Sequence, residues 1–219
     1  DGGSTDDTLA ICEAYARRSD GRIRIVSCPD SGIYDAMNQG VAACTGDVVG
    51  VLNSDDMYFD EHVLADIAAT LENPAVDATC GDLIYVNAKD VNRVVRTWQG
   101  SPYQPFATGW NPAHPTFYVR KSFFDRFGDF DTSFDISADF DLMLRFIEKH
   151  GAHVTYLNRV MVKMRQGGAS NGSLKNIFIG NRNIIKSFKK NGIAIPRFYT
   201  IRRLTPKLLN MLKTTYSKH

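Results

Sequence analysis

The stretch Gly46-Asp47-Val48-Val49-Gly50-Val51-Leu52-Asn53-Ser54-Asp55-Asp56 constrains this chain more than any other. Val48, Val49, Val51 and Leu52 form a short apolar run bounded by Gly46 and by polar residues, the pattern of a central strand covered on both faces. Asp55 and Asp56 follow at its C-terminal end, where open α/β sheets place their ligands. Adjacent carboxylates repel, and a bound cation is the usual reason for both to stay ionised. Mg²⁺ or Mn²⁺ suits such a pair, because these ions take one or two carboxylates, several waters and phosphate oxygens. The same four residues, Asn53 to Asp56, also read as a polar turn capping a helix that starts near Asp60.

The surrounding pattern alternates helix and strand with short connections, which predicts an α/β fold. Helices are expected from Thr8 to Ala16, with Leu9, Ile11, Cys12, Tyr15 and Ala16 as the apolar face, and from Tyr34 to Ala43. Ile23, Ile25 and Val26 alternate as a strand between them. Asp60 to Leu71 is a helix stopped by Asn73-Pro74. Asp77 to Val86 and Arg93 to Trp98 read as two hairpin-like strands. Residues 99–113 lack a period and read as an active-site loop or a plain surface connection. His114 to Val119 is a strand, Lys121 to Phe127 a short helix, Ser137 to His150 a strong helix and Val154 to Val162 a strand. A polar, flexible stretch, Gln166 to Ser173, then leads to a helix from about Leu174 to Lys190. Beyond a break at Gly192, a last basic helix runs from about Arg197 to Lys213.

At 219 residues the chain can bury one substantial core. No apolar stretch approaches the ~20 residues that span a bilayer, and no signal peptide is visible at the start. Cys12, Cys28, Cys44 and Cys80 form no CxxC pair, which reads as thiols in a reducing cytoplasm. Charge is strongly segregated: residues 151–219 hold 14 Lys or Arg and no Asp or Glu, whereas all 24 acidic residues lie before them. The two ends are therefore expected to meet different partners.

Six segments, in their order and spacing, carry a family resemblance. They are Asp1-Gly2-Gly3-Ser4-Thr5-Asp6; Ser31-Gly32-Ile33-Tyr34-Asp35-Ala36-Met37-Asn38-Gln39-Gly40; Gly46 to Asp56; His114-Pro115-Thr116-Phe117; Gly128-Asp129-Phe130-Asp131; and Ser137-Ala138-Asp139-Phe140-Asp141-Leu142-Met143-Leu144-Arg145. Together they resemble glycosyltransferase family 2, over roughly residues 1–165. The resemblance implies a GT-A fold, Rossmann-like with a mixed sheet and flanking helices. It also implies use of a nucleotide-diphosphate sugar, with a UDP-sugar as donor. The expected organisation is a GT-A domain over 1–165, lacking the family's first strand, and a basic helical C-terminal extension over 166–219.

The resemblance also assigns roles. Asp1 matches the carboxylate that binds the nucleobase; an acceptor-only group can take a ring N–H. Asp35 and Asn38, three apart on one helix face, match positions near the sugar nucleotide. Asn53, Asp55 and Asp56 match the DxD-type motif, although its first position is Asn here. Asp55 is expected at the ribose or the metal, Asp56 at the metal, which is Mg²⁺ or Mn²⁺. Asp139 matches the base that deprotonates an acceptor hydroxyl during inverting displacement. Its other reading is a helix cap, with Asp141 and Arg145, four apart, as a structural ion pair. His114 is read either as an acceptor or phosphate contact or as a structural residue.

Residues 174–213 interleave Arg182, Lys186, Lys189, Lys190, Arg202, Arg203 and Lys207 with apolar side chains. That pattern suits an anionic membrane surface, or a solvated helical pair packed on the domain. No nucleic-acid motif accompanies it. The expectation is thus a cytoplasmic hexosyltransferase, or one peripheral at the inner face of the membrane, acting on a hydroxyl of a surface polysaccharide or lipid-linked glycan. The alternative is a truncated, non-catalytic sugar- or membrane-binding domain, motivated by the absence of the family's first strand ahead of Asp1.

Overall fold

The computed structural model describes residues 1–167 and 174–197 together with Tyr199. Its elements in chain order are α1 (Thr8–Ala16), α2 (Ile33–Ala43), β1 (Val48–Gly50), β2 (Met57–Tyr58), α3 (Val63–Leu71), β3 (Ala78–Val86), β4 (Val94–Trp98), β5 (Tyr118–Arg120), α4 (Lys121–Phe127), α5 (Ala138–Leu144), β6 (Val154–Arg165) and α6 (Leu174–Lys190). α5 continues as a widened π turn over Arg145–Lys149. The expected basic helix to Lys213 and most of the polar stretch before α6 lie outside the described residues.

The strands form one mixed sheet in the order β1-β5-β3-β6-β2, with β4 also paired to β3. β3 and β6 run parallel along the centre, and β5 and β4 share the other edge of β3 at its two ends. The register of β6 against β3 shifts between Gly81 and Leu83. Arg159, at that shift, reaches out to ion-pair with Asp60 and Asp66 beside α3. Side chains alternate between two apolar clusters. On one face Val63, Ile67 and Leu71 of α3 pack on Leu83, Tyr118, Met161 and Val162. On the other, Val49 and Val119 meet a Phe-rich cluster from α4, α5 and α6, including Phe123, Phe146 and Phe188. Burying each such large side chain contributes about 1.5–3 kcal/mol, so α6 is fastened to the same core as the rest of the sheet.

Several expectations change. β1 is covered on both faces as expected, but it sits at the end of the sheet order rather than at its centre. Residues 23–26 form no strand. Their stretch has one pairing: the Asp1 ammonium donates to the Val26 carbonyl at 2.8 Å, and the Cys28 N–H donates to the Asp1 carbonyl at 3.1 Å. One pairing is too few to hold a ladder. His114–Thr116 is a 3₁₀ turn instead of strand, closed by the Phe117 N–H on the His114 carbonyl, and strand geometry begins only at Tyr118. The apolar stripe of α1 is only partly covered: Leu9, Cys12 and Ala16 are half-buried, whereas Ile11 and Tyr15 are exposed, Tyr15 by 60%.

Candidate active site

Antiparallel pairing of β1 with β5 sets Gly50 opposite Tyr118. Residues following β1 and residues preceding β5 therefore emerge at the same end of the sheet. Asn53, Asp55 and Asp56 follow β1; His114 precedes β5. A Cβ at Gly50 would meet Tyr118 Cε1 at 2.0 Å, so only glycine admits the Tyr118 ring here. Tyr118 in turn donates its hydroxyl to Tyr58 at 2.9 Å, tying β5 to β2 just beyond Asp56.

Asp56 is 6% exposed. Its Oδ2 accepts from Asn53 Nδ2 at 3.1 Å, while its Oδ1 is buried with no hydrogen-bond partner. Burial pushes its carboxyl up from 3.8 to about 6; the Asn53 amide and the Arg165 backbone N–H oppose this, and the Asp55 charge adds to it. A buried carboxylate oxygen without a donor is costly. The missing counter-charge, the exposed Asp55 alongside and the all-oxygen donor set fit a hard divalent ion that keeps its own waters. Among the described residues no third His, Cys, Asp or Glu completes a protein-only cage. Tyr85 lies close enough to feel the Asp56 charge and carries the Arg96 guanidinium over its ring, 4.1 Å from the centroid.

Asp139 lies in the first turn of α5, two residues after its N-cap Ser137, a non-glycine residue at φ 75°. Tyr34 of α2 donates to Asp139 Oδ1 at 3.4 Å, and its oxygen accepts the Ser137 N–H at 3.0 Å. Burial and then the Asp139 charge raise the Tyr34 phenol. His114 joins the group: its ring packs edge-on against Phe130 at 5.5 Å, burial holds it neutral, and the Asp139 charge opposes that shift. The Asp139 carboxylate thus has the Tyr34 phenol on one oxygen and the His114 imidazole within electrostatic reach. Asp141 is wired differently. The expected Asp141–Arg145 ion pair does not form. Asp141 Oδ1 accepts from Ser187 at 2.6 Å and Asn191 at 3.0 Å, both from α6 and its end. Arg145 instead donates to the carbonyls of Gly128 and Asp129.

The remaining expected residues have well-defined places. Asp1 is ordered by its own turn: its carboxylate accepts from the Gly3 N–H at 3.0 Å and from the Ser27 hydroxyl at 2.9 Å. Asp35 accepts the Ser31 N–H at 2.8 Å and so closes the start of α2. The structure gives Asn38 a task other than the expected donor contact, since its amide pairs with the Phe130 backbone from both ends, each bond 2.9 Å. The expected residues thus fall into four groups: Asn53–Asp56, Asp139 with His114, Asp35 with Asn38 on α2, and the Asp1 turn. Tyr34 escaped the sequence reading; its face of α2, shared with Asn38, is visible in the spacing, but a partner more than a hundred residues away is not.

The sequence profile described as Glycosyl transferase family 2 matches residues 1–150. The chain belongs to glycosyltransferase family 2. Among its relatives is a "PGL/p-HBAD biosynthesis glycosyltransferase" of Mycobacterium bovis, 30% identical over 174 residues, a match covering 78% of this chain and 66% of that protein. In structure the chain resembles Staphylococcus aureus TarS 1-349 in complex with UDP-GlcNAc, with a TM-score of 0.62, 17% identity, and 94% and 56% of the two chains covered. It also resembles the mannosyltransferase PcManGT from Pyrobaculum calidifontis in complex with GDP-Man and Mn²⁺, with a TM-score of 0.60, 18% identity, and 92% and 57% covered. The fold is therefore GT-A, and the chain spans less than two thirds of the length of these relatives.

Proposed function

We propose that this protein is a metal-assisted, inverting glycosyltransferase. It would move a hexose from a nucleotide-diphosphate donor, UDP-linked as the first choice, to a hydroxyl of a glycan or lipid-linked acceptor. The observation that carries this reading is the β1–β5 register, which sends Asp55, Asp56 and His114 out of the same end of the sheet, with the Asp139 charge within reach of His114. The family match and the ligands named with TarS and PcManGT support the donor class. Asp1 reads the base, while Asp35, Asn53 and Asp55 hold the ribose and sugar side. Asn38 supports α2 from behind.

In the reaction, Asp139 takes the proton from the acceptor hydroxyl as its oxygen attacks the anomeric carbon. The nucleoside diphosphate leaves with the bonding pair, and the configuration inverts. Mg²⁺ or Mn²⁺ held by Asp55 and Asp56 would offset the charge that develops on the leaving diphosphate; at ~4 Å and an effective dielectric near 20, each pair of unit charges is worth about 4 kcal/mol. His114, kept neutral, shields the base and can meet the acceptor or a phosphate oxygen.

The acceptor side explains the basic C-terminal stretch. Phe178, Arg182, Ile185 and Lys189 share one stripe of α6, and Phe178 is 73% exposed. Lys186 and Lys190 turn the other way, over the Phe134 ring, with Lys190 ion-paired to Asp131. No described helix is long and apolar enough to cross a membrane. The stripe fits peripheral contact with anionic headgroups at the cytoplasmic face.

The test is release of nucleoside diphosphate by the purified chain from UDP-GlcNAc, UDP-glucose and GDP-mannose, with Mn²⁺ and with chelator, in the presence of a glycolipid acceptor panel. Cation-dependent release that Asp139→Asn abolishes supports the reading; release unchanged in that variant contradicts it. Flotation with phosphatidylglycerol vesicles at low salt tests the α6 stripe, and no binding would remove it.

A further inference from the structure

We propose that Tyr34 is a positioning residue for the base, resting on the assignment of Asp139 to that role. Its hydroxyl accepts the Ser137 N–H at 3.0 Å and donates to Asp139 at 3.4 Å, so one oxygen fixes both the turn that carries the base and one oxygen of the base itself.

The turn needs such a clamp. Ser137 holds φ 75°, a left-handed conformation that a residue with a Cβ adopts at a cost. Its N–H points to Tyr34 rather than into a helical bond. On the opposite side α6 supports the same turn: Asn183 Nδ2 donates to the Ile136 carbonyl at 2.8 Å, and Ser137 lies against Gly180. Asp139 therefore sits on a strained turn held between α2 and α6.

Tyr34 itself has no freedom. Its ring stacks on Phe130 with centroids 6.0 Å apart, and the Phe130 backbone is bonded at both ends by Asn38, one helical turn along α2. The neighbouring Asp35 closes the start of the same helix. α2 thus carries a donor-side residue and the clamp of the acceptor-side base on successive positions. Rotation of the Asp139 carboxylate breaks the Tyr34 bond, so the bond selects the oxygen that faces the acceptor. A base held in one orientation transfers protons faster than one that samples several. A hydrogen bond that is long without substrate tightens when the acceptor arrives.

The experiment measures transfer kinetics for wild type, Tyr34→Phe, Ser137→Gly and the Tyr34→Phe/Ser137→Gly pair, with Asp139→Asn as reference. The expected result is a roughly tenfold fall in kcat for Tyr34→Phe with the donor KM within twofold of wild type. The chosen control is Ser137→Gly, because glycine relieves the positive φ and restores stability to the turn without restoring the hydroxyl. If the pair regains thermal stability but keeps the low kcat, Tyr34 acts on the base. If the pair regains wild-type kcat, or Tyr34→Phe never loses it, Tyr34 only braces the fold and the proposal falls. Undiminished turnover in Asp139→Asn would instead sink the assignment of the base, a separate failure.

Discussion

Two acid pairs, Asp55–Asp56 and Asp139–Asp141, look alike in sequence and are built as opposites. Each has one buried member and one nearer the surface. The buried Asp141 has the Ser187 hydroxyl and the Asn191 amide on Oδ1 and, like Asp56, no partner on its other oxygen, but the Arg145 charge is close enough to act on it. The buried Asp56 has the Asn53 amide on one oxygen, the Arg165 backbone N–H near enough to act on it, and a second carboxylate rather than a cation beside it. The lesson is that burial alone does not mark a functional acid. Both acids keep one oxygen without a partner, so what separates them is the neighbouring charge: a guanidinium for Asp141, a second carboxylate for Asp56. Asp139 is the third kind, half-buried and met on one oxygen by one phenol.

That contrast can be broken most severely at Asp139. Asp139→Asn should lower transfer on the order of 10³-fold, the size of a lost general base, while calorimetric donor affinity stays within a few-fold of wild type. A parallel loss of donor binding would place Asp139 in the nucleotide site instead.

Asp141→Ala should act on the fold. It strands two buried donors and removes the carboxylate charge near Arg145, so urea unfolding should show a loss of about 3 kcal/mol. A nearly neutral Asp141→Ala would undo the division between the two pairs.

Asp56 should show the reverse sign. Its folded carboxyl is raised to about 6, so the native state binds its proton more tightly than the unfolded chain. The stability this contributes is full below about pH 4 and is lost as pH rises through about 6. Without added cation, the thermal midpoint should therefore fall between those values, and Asp56→Asn should flatten the fall and gain on the order of 1–2 kcal/mol at pH 7. A wild-type curve that rises across this window would contradict the wiring.

The smallest effect belongs to Asn38. Asn38→Ala removes two bonds to the Phe130 backbone and should cost about 1–2 kcal/mol in chemical denaturation, with only a secondary drop in kcat through Tyr34. A large rise in donor KM at unchanged stability would return Asn38 to the nucleotide.

Much of this was legible in the chain because it is local. The apolar run of β1 ending in Asp55-Asp56, the helix with Asp139 in its first turn, and the β3–β4 hairpin follow from period and punctuation. The failures share one cause, which is that they depend on distant partners. Whether residues 23–26 become a strand depends on how many neighbours pair with them, and here Asp1 alone does. Whether Asp141 bonds Arg145 depends on α6, some forty residues later, offering Ser187 and Asn191. The i,i+4 spacing was right for a pair and lost to better donors. Pro115 supplies no N–H for a ladder, and the chain turns through His114–Thr116 before β5 begins.

The most direct test is a Mn²⁺ titration of the thermal midpoint at pH 7, in wild type, Asp56→Asn and Asp141→Asn, with no donor present. A saturable rise is predicted for wild type, because the cation supplies the charge that the Asp56 oxygen lacks; none is predicted for Asp56→Asn, and a rise from a lower baseline for Asp141→Asn. An equal rise in wild type and Asp56→Asn, or none in either, would contradict the claim that Asp56 is the seat of the cation.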